Sequence, residues 1–169
     1  SGGTADISSA TGSPMDWFSS GDGCDFFFRL RLKGDPRKGT GLDNNFYVVA
    51  IGRGTTPLVW VGINGDGNDK TSYVYAYNPS TSSYLSNLAV NSNDGTDKIK
   101  VQAVTVGATT EYYLQWRIAN SILPAGVFTS PVGLFAGTSQ SNVVTTINAD
   151  CIDSLLTGSS CTPKYDGTL

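Results

Sequence analysis

Histidine is absent from this 169-residue chain, and glutamate occurs once, at Glu111. Without histidine there is no Ser-His-Asp or Cys-His nucleophile system, no imidazole acid or base near neutral pH and no histidine-ligated metal. A single glutamate leaves any paired-carboxylate glycosidase to aspartates alone. Charged residues make up 15% of the chain, well under the usual quarter or so. The formal charge of −3 argues against a nucleic-acid partner. No run approaches the roughly eighteen apolar residues of a membrane-spanning helix. No CxxC pair, nucleophile elbow, P-loop or dinucleotide fingerprint occurs. These absences point away from an enzyme.

What remains is turn-rich. Thirteen aspartates stand against the one glutamate, beside 20 glycines and many serines and threonines. Aspartate and asparagine favour turns and caps, where glutamate favours helix interiors. The composition is that of short strands joined by many turns, and the length suits one domain. Residues 1–21 read as an N-terminal arm, with Thr4, Ile7 and Thr11 in a segment of the right length to add a strand to its own sheet or to a neighbour, and a Pro14–Phe18 island that could dock on a domain edge. Residues 22–169 read as one β-sandwich domain with a cysteine-stapled tail. The small polar start without a basic and apolar leader fits a mature secreted chain. No N-glycosylation sequon is present, since Pro79 blocks Asn78-Pro79-Ser80, which favours a prokaryotic cell surface.

Strand periodicity is clearest from Cys24 to Lys33. Phe26, Phe28, Leu30 and Leu32 alternate with Phe27, Arg29, Arg31 and Lys33, so one face is buried and a basic stripe faces out. That stripe reads as a solvated face or a charge-protected edge. Phe46 to Ile51 and Leu58 to Ile63 are near-continuous apolar runs, as in strands covered on both faces. Tyr73 to Tyr77, a weaker segment at 84–90, Ile99 to Val106, Tyr112 to Ile118 and Val132 to Ala136 complete about eight strands. Asn120 to Leu123 suits one helical turn. Asn148 to Leu156 predicts a short C-terminal helix, with Asn148 as N-cap and Gly158 as C-cap. The expected fold is all-β, a two-sheet antiparallel sandwich of jelly-roll type.

Four features are candidates for function. In Asn64-Gly65-Asp66-Gly67-Asn68-Asp69, hard oxygen ligands alternate with glycines. That suits a calcium loop liganded by Asn64, Asp66, Asn68 and Asp69, though an Asn/Gly-rich β-turn between Ile63 and Thr71 is the plainer reading. Asn91, Asn93, Asp94 and Asp97 form a weaker loop of the same kind. Trp60, Tyr73, Tyr75 and Tyr77 are either a sugar-stacking platform or core aromatics, and the tyrosine stripe is the more exposed part because Val74 and Ala76 serve the core. Cys24, Cys151 and Cys161 allow one disulfide, with the pairing open; Cys151–Cys161 would contribute about 2–3 kcal/mol.

Two stretches carry a resemblance. Asp25-Phe26-Phe27-Phe28-Arg29-Leu30-Arg31-Leu32, Asn45-Phe46-Tyr47-Val48-Val49 and the Asn64–Asp69 loop resemble the opening strands of DOMON-like and family-9-like carbohydrate-binding sandwiches. Tyr113-Leu114-Gln115-Trp116-Arg117-Ile118, with Phe135–Ser139 and Ile147–Asp150, resembles the end of secreted bacterial β-domains. The resemblance implies a secreted sandwich that binds sugar, haem or calcium, or serves as a surface building block. Haem fits poorly, with no histidine and Met15 as the only methionine to act as an axial ligand. The sequence therefore predicts a non-catalytic extracellular subunit that assembles with copies of itself into a filament, sheath or surface layer. The alternative is a calcium-supported module that binds a polysaccharide.

Overall fold

The computed structural model describes residue 4 and residues 6–8, 14–65, 71–91, 98–139 and 150–151. Twelve strands lie among them: β1 (Met15–Ser19), β2 (Asp25–Leu32), β3 (Arg37–Lys38), β4 (Gly41–Leu42), β5 (Phe46–Arg53), β6 (Thr56–Asn64), β7 (Ser72–Asn78), β8 (Ser83–Val90), β9 (Ile99–Val106), β10 (Thr109–Ala119), β11 (Gly133–Ser139) and β12 (Asp150–Cys151). One four-stranded sheet runs β1-β2-β10-β9 and one six-stranded sheet runs β12-β11-β5-β6-β7-β8. All pairings are antiparallel. The expected all-β two-sheet sandwich is the observed class, with more strands than the eight expected. No helix among the described residues is long and apolar enough to cross a membrane.

The period of two in β2 sets the register. Phe28 faces Trp116 of β10, and Leu30 faces Leu114. Phe28, Leu30 and Leu114 are fully buried, each side chain contributing about 1.5–3 kcal/mol. Tyr47, Val49, Ile51, Val59, Val61, Ile63, Val74 and Ala76 close the same core from the six-stranded sheet. Phe46, Val48, Ala50, Trp60, Tyr75, Tyr77 and Phe135 form a second apolar cluster on the opposite face of that sheet, as alternation requires. The continuous apolar runs of β5 and β6 thus bury both faces.

Three expectations change. Asp150 and Cys151, inside the predicted helix, instead pair with Thr138 and Gly137 at the edge of β11. Pairing with an open edge outweighs the local cap signals there. The rest of that segment lies outside the described residues. Met15–Ser19, inside the expected arm, is a full edge strand in register with β2. Ile7 also bridges Leu32 of the same chain and is buried in the main core. This part of the arm is satisfied in cis, because Ile7 fills an apolar site and β2 supplies its backbone partners. Thr11 lies outside the described residues.

Candidate functional site

The N-terminal segment ends in a polar clamp. Thr4 donates through its hydroxyl to Asp43, accepts from Asn45 Nδ2 at 2.9 Å, and its carbonyl accepts from the Tyr47 hydroxyl at 3.2 Å. Burial pushes the Tyr47 phenol well above its usual range. The first residues of the candidate calcium loop lie against this clamp. Gly65 N–H donates to the Asn45 carbonyl at 2.9 Å, and a Cβ at Gly65 would collide with the Asp43 carbonyl. Asn64 ends β6 opposite Phe46 and Tyr73. Asp66, Asn68 and Asp69 lie outside the described residues, as do Asn93, Asp94 and Asp97 of the second loop.

The aromatic candidates are less open than predicted. Trp60, Tyr75 and Tyr77 are all buried, and Tyr73 is half-buried. Val74 and Ala76 do face the core, so the parity was legible; the accessibility of the other face was not. Tyr75 lies across Gly62, where a Cβ would strike its ring and the Tyr47 carbonyl. Its hydroxyl is buried without a hydrogen-bond partner, and burial raises its pKa, with the neighbouring Tyr84 adding to the effect. The interlocked rings make a wall rather than a platform.

The exposed aromatics lie elsewhere. Trp17 on β1 stacks on Phe128 at 5.6 Å and 6°, and Phe128 packs on Phe26 at 4.5 Å. Both phenylalanines line a cleft of about 670 Å³ with Cys24, Asn120 and Leu123. Arg53 holds the cleft loop by donating to the Val127 carbonyl at 2.7 Å and the Pro131 carbonyl at 3.2 Å. Cys24 is exposed and joined to no disulfide. The nearby Asp22 charge, with its carbonyl as acceptor, raises the thiol pKa. Cys161 lies outside the described residues.

The basic stripe is also rearranged. Arg31 is buried with Glu111, which also accepts from the buried Ser8 hydroxyl at 2.7 Å. Arg29 pairs with Asp16 at 2.5 Å and lies 4.5 Å over the Tyr113 ring. Arg117 lies 3.6 Å from Asp25. These cations pair with carboxylates of their own sheet instead of forming a free basic face.

Three of the exposed large apolar side chains among the described residues lie on the edge strand of the six-stranded sheet, β8. Tyr84, Leu85 and Leu88 are 46%, 40% and 44% exposed. The strand reads SYLSNLAV, without a charge or a proline. It belongs to an uncharged stretch of 23 residues, from Thr71 to Asn93. An Asx turn starts the β7–β8 connection, Asn78 Oδ1 accepting from the Ser80 and Thr81 N–H groups. Ser82 then takes a left-handed conformation at φ 52°. Sequence reading counts 84–90 only as a weaker strand because its apolar residues do not alternate cleanly. A register shift between Ala76 and Tyr77 leaves Leu85 bulged out, and the signal that would have found the surface is the missing charge. Comparison with family models, curated proteins and solved structures gave no match.

Proposed function

We propose that this sandwich is a non-catalytic extracellular structural subunit that assembles with copies of itself through sheet edges and faces. The single observation carrying this reading is β8, an edge strand of eight residues with three large exposed apolar side chains and no charge. Soluble proteins usually guard such an edge with charge, proline, a bulge or a covering loop. Here the bulge leaves the strand's length paired with β7, and among the described residues no strand pairs with its other side. The absence of histidine and the near absence of glutamate fit a chain selected for surface and not for acid–base chemistry.

Negative-stain electron microscopy and light scattering of the protein as isolated, never refolded, test this reading. Regular polymer or a concentration-dependent rise in mass supports it. A monomer at every concentration overturns it.

A second reading is a calcium-supported carbohydrate-binding module. Exposed Trp17 beside the Phe26–Phe128 cleft favours it, since a flat ring next to polar groups suits a pyranose face. Loss of retention on polysaccharide in Trp17→Ala, with the protein remaining monomeric, would favour this reading over assembly.

A further inference from the structure

We propose that the partner of the β8 edge is β8 of a second copy, paired antiparallel across a two-fold axis. This identification rests on the assembly reading above. Every second N–H and C=O of an edge strand points away from its one neighbour. Among the described residues, none of those groups on residues 83–90 meets a backbone partner beyond β7.

The other edges are less suited to this role. β1 carries Asp16, bound to Arg29, and is followed along β2 by the bridge from Ile7. β9 carries the exposed Lys100. β12 has two residues. Charge on an edge opposes pairing with an identical edge, because a two-fold axis brings like charges together. β8 has none, and the chain's overall −3 therefore adds no local repulsion at the axis.

The side chains suit the same geometry. Leu88 pairs with Val74 and so continues the inner face of the sheet. Tyr84 packs edge-on against Tyr75 and Tyr77 and continues the outer face. A second β8 would extend both apolar rows across the axis and join two six-stranded sheets into one. The strip is narrow, at the low end of specific interfaces near 1,200 Å² or less in total, so the pair forms and separates with concentration. It is closed by its symmetry, and growth into a polymer then needs another face.

Cysteine scanning tests the arrangement. In a background with Cys24, Cys151 and Cys161 all changed to Ser and its fold checked by circular dichroism, Leu85→Cys, Ser86→Cys, Asn87→Cys, Leu88→Cys and Ala89→Cys are made singly and mildly oxidised. Antiparallel pairing brings identical residues together only at the axis. Two positions away they are about 13 Å apart, beyond the roughly 7 Å reach of a disulfide. The expected result is a covalent dimer at one or two adjacent positions, falling away on both sides, with none in the parent. Ser86→Lys should weaken the dimer at least about tenfold, a change of about 1.4 kcal/mol, with circular dichroism unchanged. Flat or absent cross-linking while scattering still reports oligomers overturns the β8 pair and leaves the assembly reading standing. Monomer throughout overturns both.

Discussion

Arg31 and Glu111 form an ion pair across β2 and β10 with both side chains almost wholly buried. Ser8 fills the second carboxylate oxygen from the N-terminal segment. One charge-assisted cluster therefore ties that segment, the first long strand and the last long strand of the four-stranded sheet together. Glu111→Ala removes the carboxylate partner of a buried guanidinium and should cost about 3–5 kcal/mol. Arg31→Met combined with Glu111→Leu should restore most of that loss. Chemical denaturation of the two variants checks it; equal losses would mean the pair is not the source.

The same cluster predicts acid sensitivity. Burial pushes the Glu111 carboxyl up, but the Ser8 hydroxyl, the Arg31 guanidinium and Lys33 together outweigh it and hold the group below its ordinary value of 4.5. The unfolded chain then binds the proton more readily, so this contribution is complete above pH 4.5 and fades as pH falls through the folded value. Melting temperature against pH should drop in that acid range for the natural chain. The Glu111→Gln variant should show a smaller drop there.

Gly62→Ala places a methyl group against the Tyr47 carbonyl and the Tyr75 ring. Neither can move freely, because one belongs to the paired strand β5 and the other is buried. The expected loss is about 1–3 kcal/mol, read from the denaturation midpoint. Pairing with Tyr75→Phe should recover little, since the backbone clash remains.

Cys24 should react with a thiol reagent in the folded protein, without denaturant. Its neighbour Asp22 raises the thiol pKa, so the reaction at neutral pH should run slower than that of a free cysteine. Asp22→Asn should speed it. A silent Cys24 in the native state would contradict its exposure.

If the Asn64–Asp69 loop binds calcium as the second reading requires, added calcium raises the melting temperature by mass action. The combined change Asp66→Ala and Asp69→Ala should abolish that rise and leave the metal-free melting temperature nearly unchanged. A rise that survives the double change would place the ion elsewhere.

How much was legible depended on whether a signal was local. The alternation of Phe26, Phe28, Leu30 and Leu32 gave β2 and its inner face directly. The apolar runs of β5 and β6 announced burial on both faces. Met15–Ser19 was missed as a strand because its burial changes along five residues and only the β2 edge orders it. The 148–156 segment read as helix because caps are local signals, while the edge that claims Asp150 and Cys151 is contributed by residues 137–138. The tyrosine stripe was assigned to the right face but the wrong environment, since alternation fixes side and not cover.

Sequence alone determined that imidazole chemistry is missing from this chain, which has no histidine, and the class of its fold. Those follow from residue types and short-range periodicity, which need no partner strand. Tertiary structure decided that Arg31 is buried rather than solvated, because Glu111 lies 80 positions away. It decided that the described part of the N-terminal segment docks on its own sheet, and that β8 is an edge strand among the described residues. Sheet edges and buried ion pairs are made by which strands become neighbours, and that order is written in contacts distant along the chain.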